Sequence, residues 1–297
     1  GICNGANNYM YQEHQSNNWM IKKLLLIGNS GLLPFYLNQD DLDVDSDLLS
    51  GFCSAIHSLS LELSFPLKNI DFQDHIMTVD MVKHPNDIDF LIASLFEDYH
   101  IAEGVKKKMK YIFARFFEPL KFESENERIK DTSIENQVTE ILNDVPFKIY
   151  LTHKIEKIKQ LLDPIIEKRE NDIYAYALNS SCNTILYYNG KEDLYEQKGP
   201  LYLKDLIKKY LRVWRLEKIP QGDQFTGPEL PMGLDFTDYC HTGRKTVGLV
   251  INTGINLKES PDNELLIYFF GKNMLMRSCV LNIEDKLREL FIEDKSN

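Results

Sequence analysis

Leu24-Leu25-Leu26-Ile27-Gly28-Asn29-Ser30-Gly31-Leu32-Leu33 and, further on, Asp47-Leu48-Leu49-Ser50-Gly51-Phe52-Cys53-Ser54-Ala55-Ile56 decide the fold class of this chain. The first stretch reads as strand, turn, strand. Lys23–Ile27 is an apolar run of strand length, Gly28 to Gly31 is a turn whose end glycines adopt positive φ without a Cβ penalty, and Leu32–Leu37 resumes the strand. In the second stretch the period changes. Leu48, Leu49, Phe52, Ile56, Leu59 and Leu63 recur at three- and four-residue steps, which is one apolar stripe of a helix. Ser46 or Asp47 is the expected N-cap. The small residues Gly51 and Ser54 are expected on the buried side, where they would let the helix lie close on a sheet. Pro66 is expected to close the helix.

Outward from there, Ile70–Met81 and Ile88–Phe96 read as strands joined through His84-Pro85-Asn86-Asp87. A helix follows from about Ile101, burying Val105, Met109, Ile112, Phe113 and Phe116, and another surrounds Ile134, Val138, Ile141 and Leu142. A linker is expected at Asn143–Pro146. Beyond it, Ile155, Ile158, Leu161 and Leu162 form a helical stripe that Pro164 should kink or end. Ile173–Leu178 and Thr184–Tyr188 read as a hairpin, and Leu203, Leu206, Ile207, Tyr210, Leu211 and Trp214 as a helix. Val247–Ile251, Leu265–Phe270 and Met274–Leu281 read as strands, and Ile283–Phe291 as a closing helix. Each half is thus a hairpin, a helix, further strands and a closing helix, so the architecture repeats although the sequence does not. The fold class is α/β, as two sandwiches over 20–143 and 147–297, with an inserted loop at 220–242 and a flexible leader at 1–19 preceding Met20-Ile21-Lys22-Lys23.

Composition agrees with this division. The 297 residues are 43% hydrophobic and 27% charged, and that length suits two domains with a core each. The formal net charge of −11 repels phosphate backbones, which argues against nucleic acid as a partner. Cys3, Cys53, Cys182, Cys240 and Cys279 are odd in number and scattered, so a disulfide framework or a zinc site is not expected, and reduced thiols suit a cytoplasmic protein. Apolar runs stop far short of the ~20 residues of a membrane span, which leaves membrane association peripheral at most.

The two quoted stretches resemble longin and roadblock-type domains, in the Gly28-Asn29-Ser30-Gly31 turn after an apolar strand and in Leu48-Leu49-Ser50-Gly51-Phe52 with Ser54-Ala55-Ile56 in the next helix. The chain is similar to the tandem longin/roadblock-type (profilin-like) family that includes the Mon1–Ccz1 and Fuzzy–Inturned proteins and prokaryotic relatives. This resemblance implies two five-stranded antiparallel sheets flanked by helices. It also implies a non-enzymatic module without a cofactor, which pairs with other longin or roadblock proteins as a homo- or hetero-oligomer. Its further partner would be a Ras-like small GTPase in membrane-traffic-like processes.

Chemistry is harder to find. Counted from Asp41, the acidic loop Asp41–Asp47 has Ser46 and Phe52 where a calcium loop needs Gly and Glu. Gly243-Arg244-Lys245-Thr246 interposes Arg244 where a phosphate loop needs Gly followed directly by Lys, and it leads into a strand rather than a helix. Cys240 and His241, beside Asp235 and Asp238, are the one crowding of nucleophile, base and acid; neighbours in a chain rarely face each other, so a surface role is the simpler reading. Lys106, Lys107, Lys108 and Lys110 could form a basic face for an acidic partner or anionic lipid, or simply a solvated flank. The helix residues Leu48, Leu49, Phe52, Ile56, Leu59 and Leu63 exceed what one core-facing stripe needs, with Leu49 and Leu63 flanking it, and are the candidate partner-binding residues. A sensor holding a small molecule between sheet and helix, under a lid carrying Phe225, Phe236 and Tyr239, is the alternative function.

Overall fold

The computed structural model describes residues 21–39, 44–65, 67, 69–122, 124, 127–168, 173–191, 200–216, 234–238, 244–256, 264–271, 286–287 and 289–290. The fold is mixed α/β with two antiparallel sheets, and the chain divides into two compact units between Val145 and Pro146.

In the first unit the elements run β1 (Ile21–Gly28), β2 (Phe35–Asn38), α1 (Ser46–Glu62), β3 (Ile70–Asp71), β4 (His75–Lys83), β5 (Asp89–Glu97), α2 (Ala102–Ile112) and α3 (Thr132–Leu142). The sheet order is β2-β1-β5-β4-β3. All eight residues of β1 are buried, because the strand lies inside the sheet and is covered on both faces. Leu25 and Ile27 join Met77, Val79, Leu91, Ala93 and Leu95 in one apolar cluster, which α1 closes with Leu49 and Cys53. By alternation Leu24 and Leu26 point to the opposite face. An aromatic cluster also builds the core: Phe90 lies 6.3 Å from Phe113 and 5.1 Å from Phe122, and Phe35 lies 5.0 Å from Phe117, between ring centroids. Phe113–Phe117 form a π-helical turn continuing α2.

β1 also buries two lysines. Lys23 is fully enclosed and donates to Oδ1 of Asn38 at 2.8 Å, and Lys22 sits 3.7 Å from the Glu97 carboxylate. Burying an ammonium is tolerable only with such partners.

Several local expectations are corrected. β2 starts at Phe35, not Leu32, because Gly28 N–H bonds the Leu32 carbonyl and Pro34 has no N–H for a ladder. The stretch Ile70–Met81 is two strands, turned where Phe72 N–H bonds the His75 carbonyl. The N-cap of α1 is Asp45, one residue before the expected pair: its Oδ1 accepts from Asp47 N–H at 2.9 Å and Leu48 N–H at 3.4 Å. Gly51 lies on the exposed side, with no atom within 4 Å of where its Cβ would be.

The second unit carries α4 (Val145–Glu167), β6 (Ile173–Ser180), β7 (Ile185–Gly190), α5 (Pro200–Leu216), β8 (Leu234–Asp238), β9 (Arg244–Asn256) and β10 (Glu264–Gly271). Its sheet order, β7-β6-β10-β9-β8, repeats that of the first unit position for position. Pro164 neither ends α4 nor prevents a last turn to Glu167. On one face Phe147, Leu151, Ile155, Ile158 and Leu162 of α4 meet Tyr176, Leu178, Ile267 and Phe269 of the sheet, with Leu287 from a helical segment near the C-terminal end. On α5, Leu203, Leu206, Ile207, Tyr210 and Leu211 are buried.

The segment 220–242 is not simply a loop. It contains β8, whose Phe236 pairs with Thr246 of β9. The expected strand at Met274–Leu281, the Trp214 side chain and the lid residues Phe225 and Tyr239 lie outside the described residues, as do 1–20. No described helix is long and apolar enough to cross a membrane.

Candidate partner-binding site

Among the described residues the feature that most needs a partner is the outer face of α1. The helix is held firmly. Asp45 caps its start, and Ser50 Oγ donates to the Gly31 carbonyl in the β1–β2 turn, where Gly31 takes φ +82°. Cys53 Sγ touches Met77 Sδ at 3.4 Å on β4. The other end closes in a Schellman motif: Ser64 is left-handed at φ +56°, Phe65 N–H bonds the Ser60 carbonyl at 3.0 Å and Ser64 N–H bonds the Leu61 carbonyl at 3.1 Å. The apolar residue of such a motif usually tucks against the helix, yet Phe65 is 70% exposed.

The helix contacts its sheet through a narrow arc in which only Leu49, Ser50 and Cys53 are buried. Leu48 (70% exposed), Phe52 (38%), Leu59 (48%) and Leu63 (54%) stand in solvent, and Ile56 is half-buried. At about 100° per residue, Leu48, Phe52, Ala55, Leu59 and Leu63 fall within roughly 80° of arc. They form a second apolar stripe beside the one that packs. Of the six residues expected to meet a partner, five line this stripe or its margin; Leu49 belongs to the core instead, because it closes the cluster over Leu25 and Ile27.

The expected basic face does not form as a unit. Lys107 and Lys110 are exposed and Lys106 is half-buried, but Lys108 is fully buried, its Nζ 2.7 Å from Oδ1 of Asp144. Lys110 leans to within 3.9 Å of the Asp80 carboxylate. Lys108, three residues after Val105 and four before Ile112, lies on the buried side of α2 beside Met109, against the expectation of a solvated lysine flank. Cys240 and His241 lie outside the described residues. Among the described residues no three His, Cys, Asp or Glu side chains group as metal ligands would.

The buried thiol of Cys53 is pushed up to about 12 by its desolvation, so it is a packing group rather than a nucleophile. Comparison with protein-family models and with curated proteins returns no match.

Proposed function

We propose that this chain is a non-enzymatic protein-binding module of the tandem longin/roadblock type, a scaffold or regulator of a Ras-like small GTPase in membrane-traffic-like processes. On this reading it works in the cytoplasm, at most peripherally on membranes, and pairs with another longin or roadblock protein. The observation that carries the binding role is the apolar stripe of α1. Exposed apolar side chains aligned on a helix that is capped at both ends and fixed to a sheet mark an interaction surface, whereas scattered ones would not. The strand order shared by the two units supports the tandem part of the proposal. The GTPase part rests on the sequence resemblance.

The test is retention of purified Ras-like GTPases on the immobilised chain, in GDP-bound and GTP-analogue-bound states, with Leu59→Asp as a control. Retention of either state supports the assignment. Loss of retention with Leu59→Asp would place the GTPase itself on α1, while unchanged retention would leave α1 for the second longin. Failure to retain any GTPase in either state removes the GTPase role.

A further inference from the structure

We infer that α1 receives a helix from a different protein, one whose apolar stripe is bracketed by Lys or Arg, in preference to a second copy of this chain or an anionic bilayer. This rests on the reading of α1 as the pairing surface and adds the chemistry of what it pairs with.

Charge selects among the possible occupants of this face. Ser46–Glu62 contains neither Lys nor Arg. The stripe runs between exposed carboxylates, Asp45 and Asp47 at its start and Glu62 at its end. Asp45 and Asp47 are partly accounted for, since Asp45 caps the helix and both lie at the positive end of its dipole. Glu62 is not. It stands in the last turn, where the helix dipole is negative, with no basic residue in that turn and no ion pair among the described residues. A cation delivered there would meet both the carboxylate and the dipole.

Two occupants fit poorly. A second α1 packed antiparallel sets Asp47 of each copy beside Glu62 of the other; packed parallel, it sets like residue against like. Each arrangement places carboxylate near carboxylate at both ends. Helices that lie on anionic bilayers flank their apolar face with Lys and Arg, which α1 lacks, in a chain of formal net charge −11. A foreign helix packed antiparallel, with Lys or Arg at its ends, satisfies both termini and the stripe together.

The experiment uses the full chain and two synthetic amphipathic helices sharing one Leu/Ala stripe, one ending in Lys at both termini and one in Glu. Binding is followed by fluorescence anisotropy at low and at raised salt, sedimentation of the chain alone gives its oligomeric state, and flotation is run with phosphatidylcholine vesicles with and without phosphatidylserine. The Lys peptide should bind at least tenfold tighter than its Glu twin, with the difference shrinking severalfold at raised salt. Asp47→Asn with Glu62→Gln should shrink it likewise, and Leu59→Asp should weaken the Lys peptide at least tenfold without changing the far-ultraviolet circular dichroism. Equal affinity for the two peptides, or binding of neither, overturns the inference. A chain that is dimeric alone and made monomeric by Leu59→Asp gives the face to a second copy, overturning the inference while sparing the pairing role. Flotation with the vesicles, lost in Leu59→Asp, gives the face to lipid and overturns both.

Discussion

Lys108 of α2 holds Asp144, two residues past the end of α3, by an ion pair of 2.7 Å in which neither side chain is exposed. Asp144 is left-handed at φ +52°, and its Oδ2 is buried without a hydrogen bond, so the carboxylate depends on this one cation. Lys108→Met should cost about 3–5 kcal/mol, because it strands a buried charge. Lys108→Met with Asp144→Asn should recover much of that loss, since Asn is neutral and tolerates the left-handed backbone. Urea midpoints at constant m-value, arranged as a double-mutant cycle, check both. Additive single losses would show the pair to be energetically idle.

The neighbours Leu48 and Leu49 should separate sharply. Leu49 is 9% exposed inside the cluster over β1, and Leu48 is 70% exposed. Leu49→Ala should destabilise the unit by about 2–4 kcal/mol, whereas Leu48→Ala should stay within about 0.5 kcal/mol. The reverse order would mean that α1 packs through the other stripe.

That pair also marks where sequence reading stops. The existence of α1 follows from its period, but apolar residues cover so much of its circumference that periodicity alone does not tell which arc faces the sheet. What decides it is tertiary: the row Leu25, Ile27, Met77, Val79 and Ala93 is closed by the compact trio Leu49, Ser50 and Cys53, which leaves the larger Leu and Phe side chains outside. The turn after Gly28, the strands β5 and β6 and the stripe of α5 from Leu203 to Leu211 were legible because local chemistry and burial agree there, although only Gly31, and not Gly28 as expected, takes a positive φ. The Lys108–Asp144 pair was not, because its partners are far apart in sequence and a lysine triplet reads as surface. Likewise β8 was hidden in a stretch rich in Gly and Pro, since only pairing with β9 makes Leu234–Asp238 a strand.

Alkaline pH should destabilise the protein through buried groups that lose their protons more readily in the unfolded chain. The Cys53 thiol is pushed up to about 12 by burial, while the unfolded thiol ionises near pH 9.0. Between those values the unfolded chain gives up a proton that the folded chain keeps, so this contribution is complete below about pH 9 and drains away as pH rises toward 12. Tyr176 and Tyr268 in the second unit are raised too, both chiefly by burial, with Tyr176 also raised by the neighbouring Tyr187 and Asp163. Stability should therefore fall from about pH 9 upward, and Cys53→Ala should flatten the first part of that fall for the first unit. The thiol should also resist disulfide reagents at pH 8 until urea unfolds the chain; rapid labelling of the folded protein would contradict its burial.

Tyr268 and Asn183 should show how the second sheet holds its first hairpin. The Tyr268 hydroxyl, from the central strand β10, donates to Oδ1 of Asn183 at 2.7 Å, both residues being fully buried. Asn183 sits in the β6–β7 turn at φ +66°, and its N–H bonds the Ser180 carbonyl at 2.9 Å. Tyr268→Phe removes the bond and keeps the ring, so it should cost about 1–2 kcal/mol. Asn183→Gly removes the same bond while easing the left-handed backbone, and should cost about as much. Asn183→Ala loses the bond and also forces a Cβ into left-handed geometry, which adds about 1 kcal/mol. Hydrogen exchange of the 178–186 peptide should rank the variants in that order. Equal effects of Asn183→Gly and Asn183→Ala would mean that the turn relaxes to a negative φ, and that the side-chain bond to β10, rather than the backbone, is what fixes the hairpin.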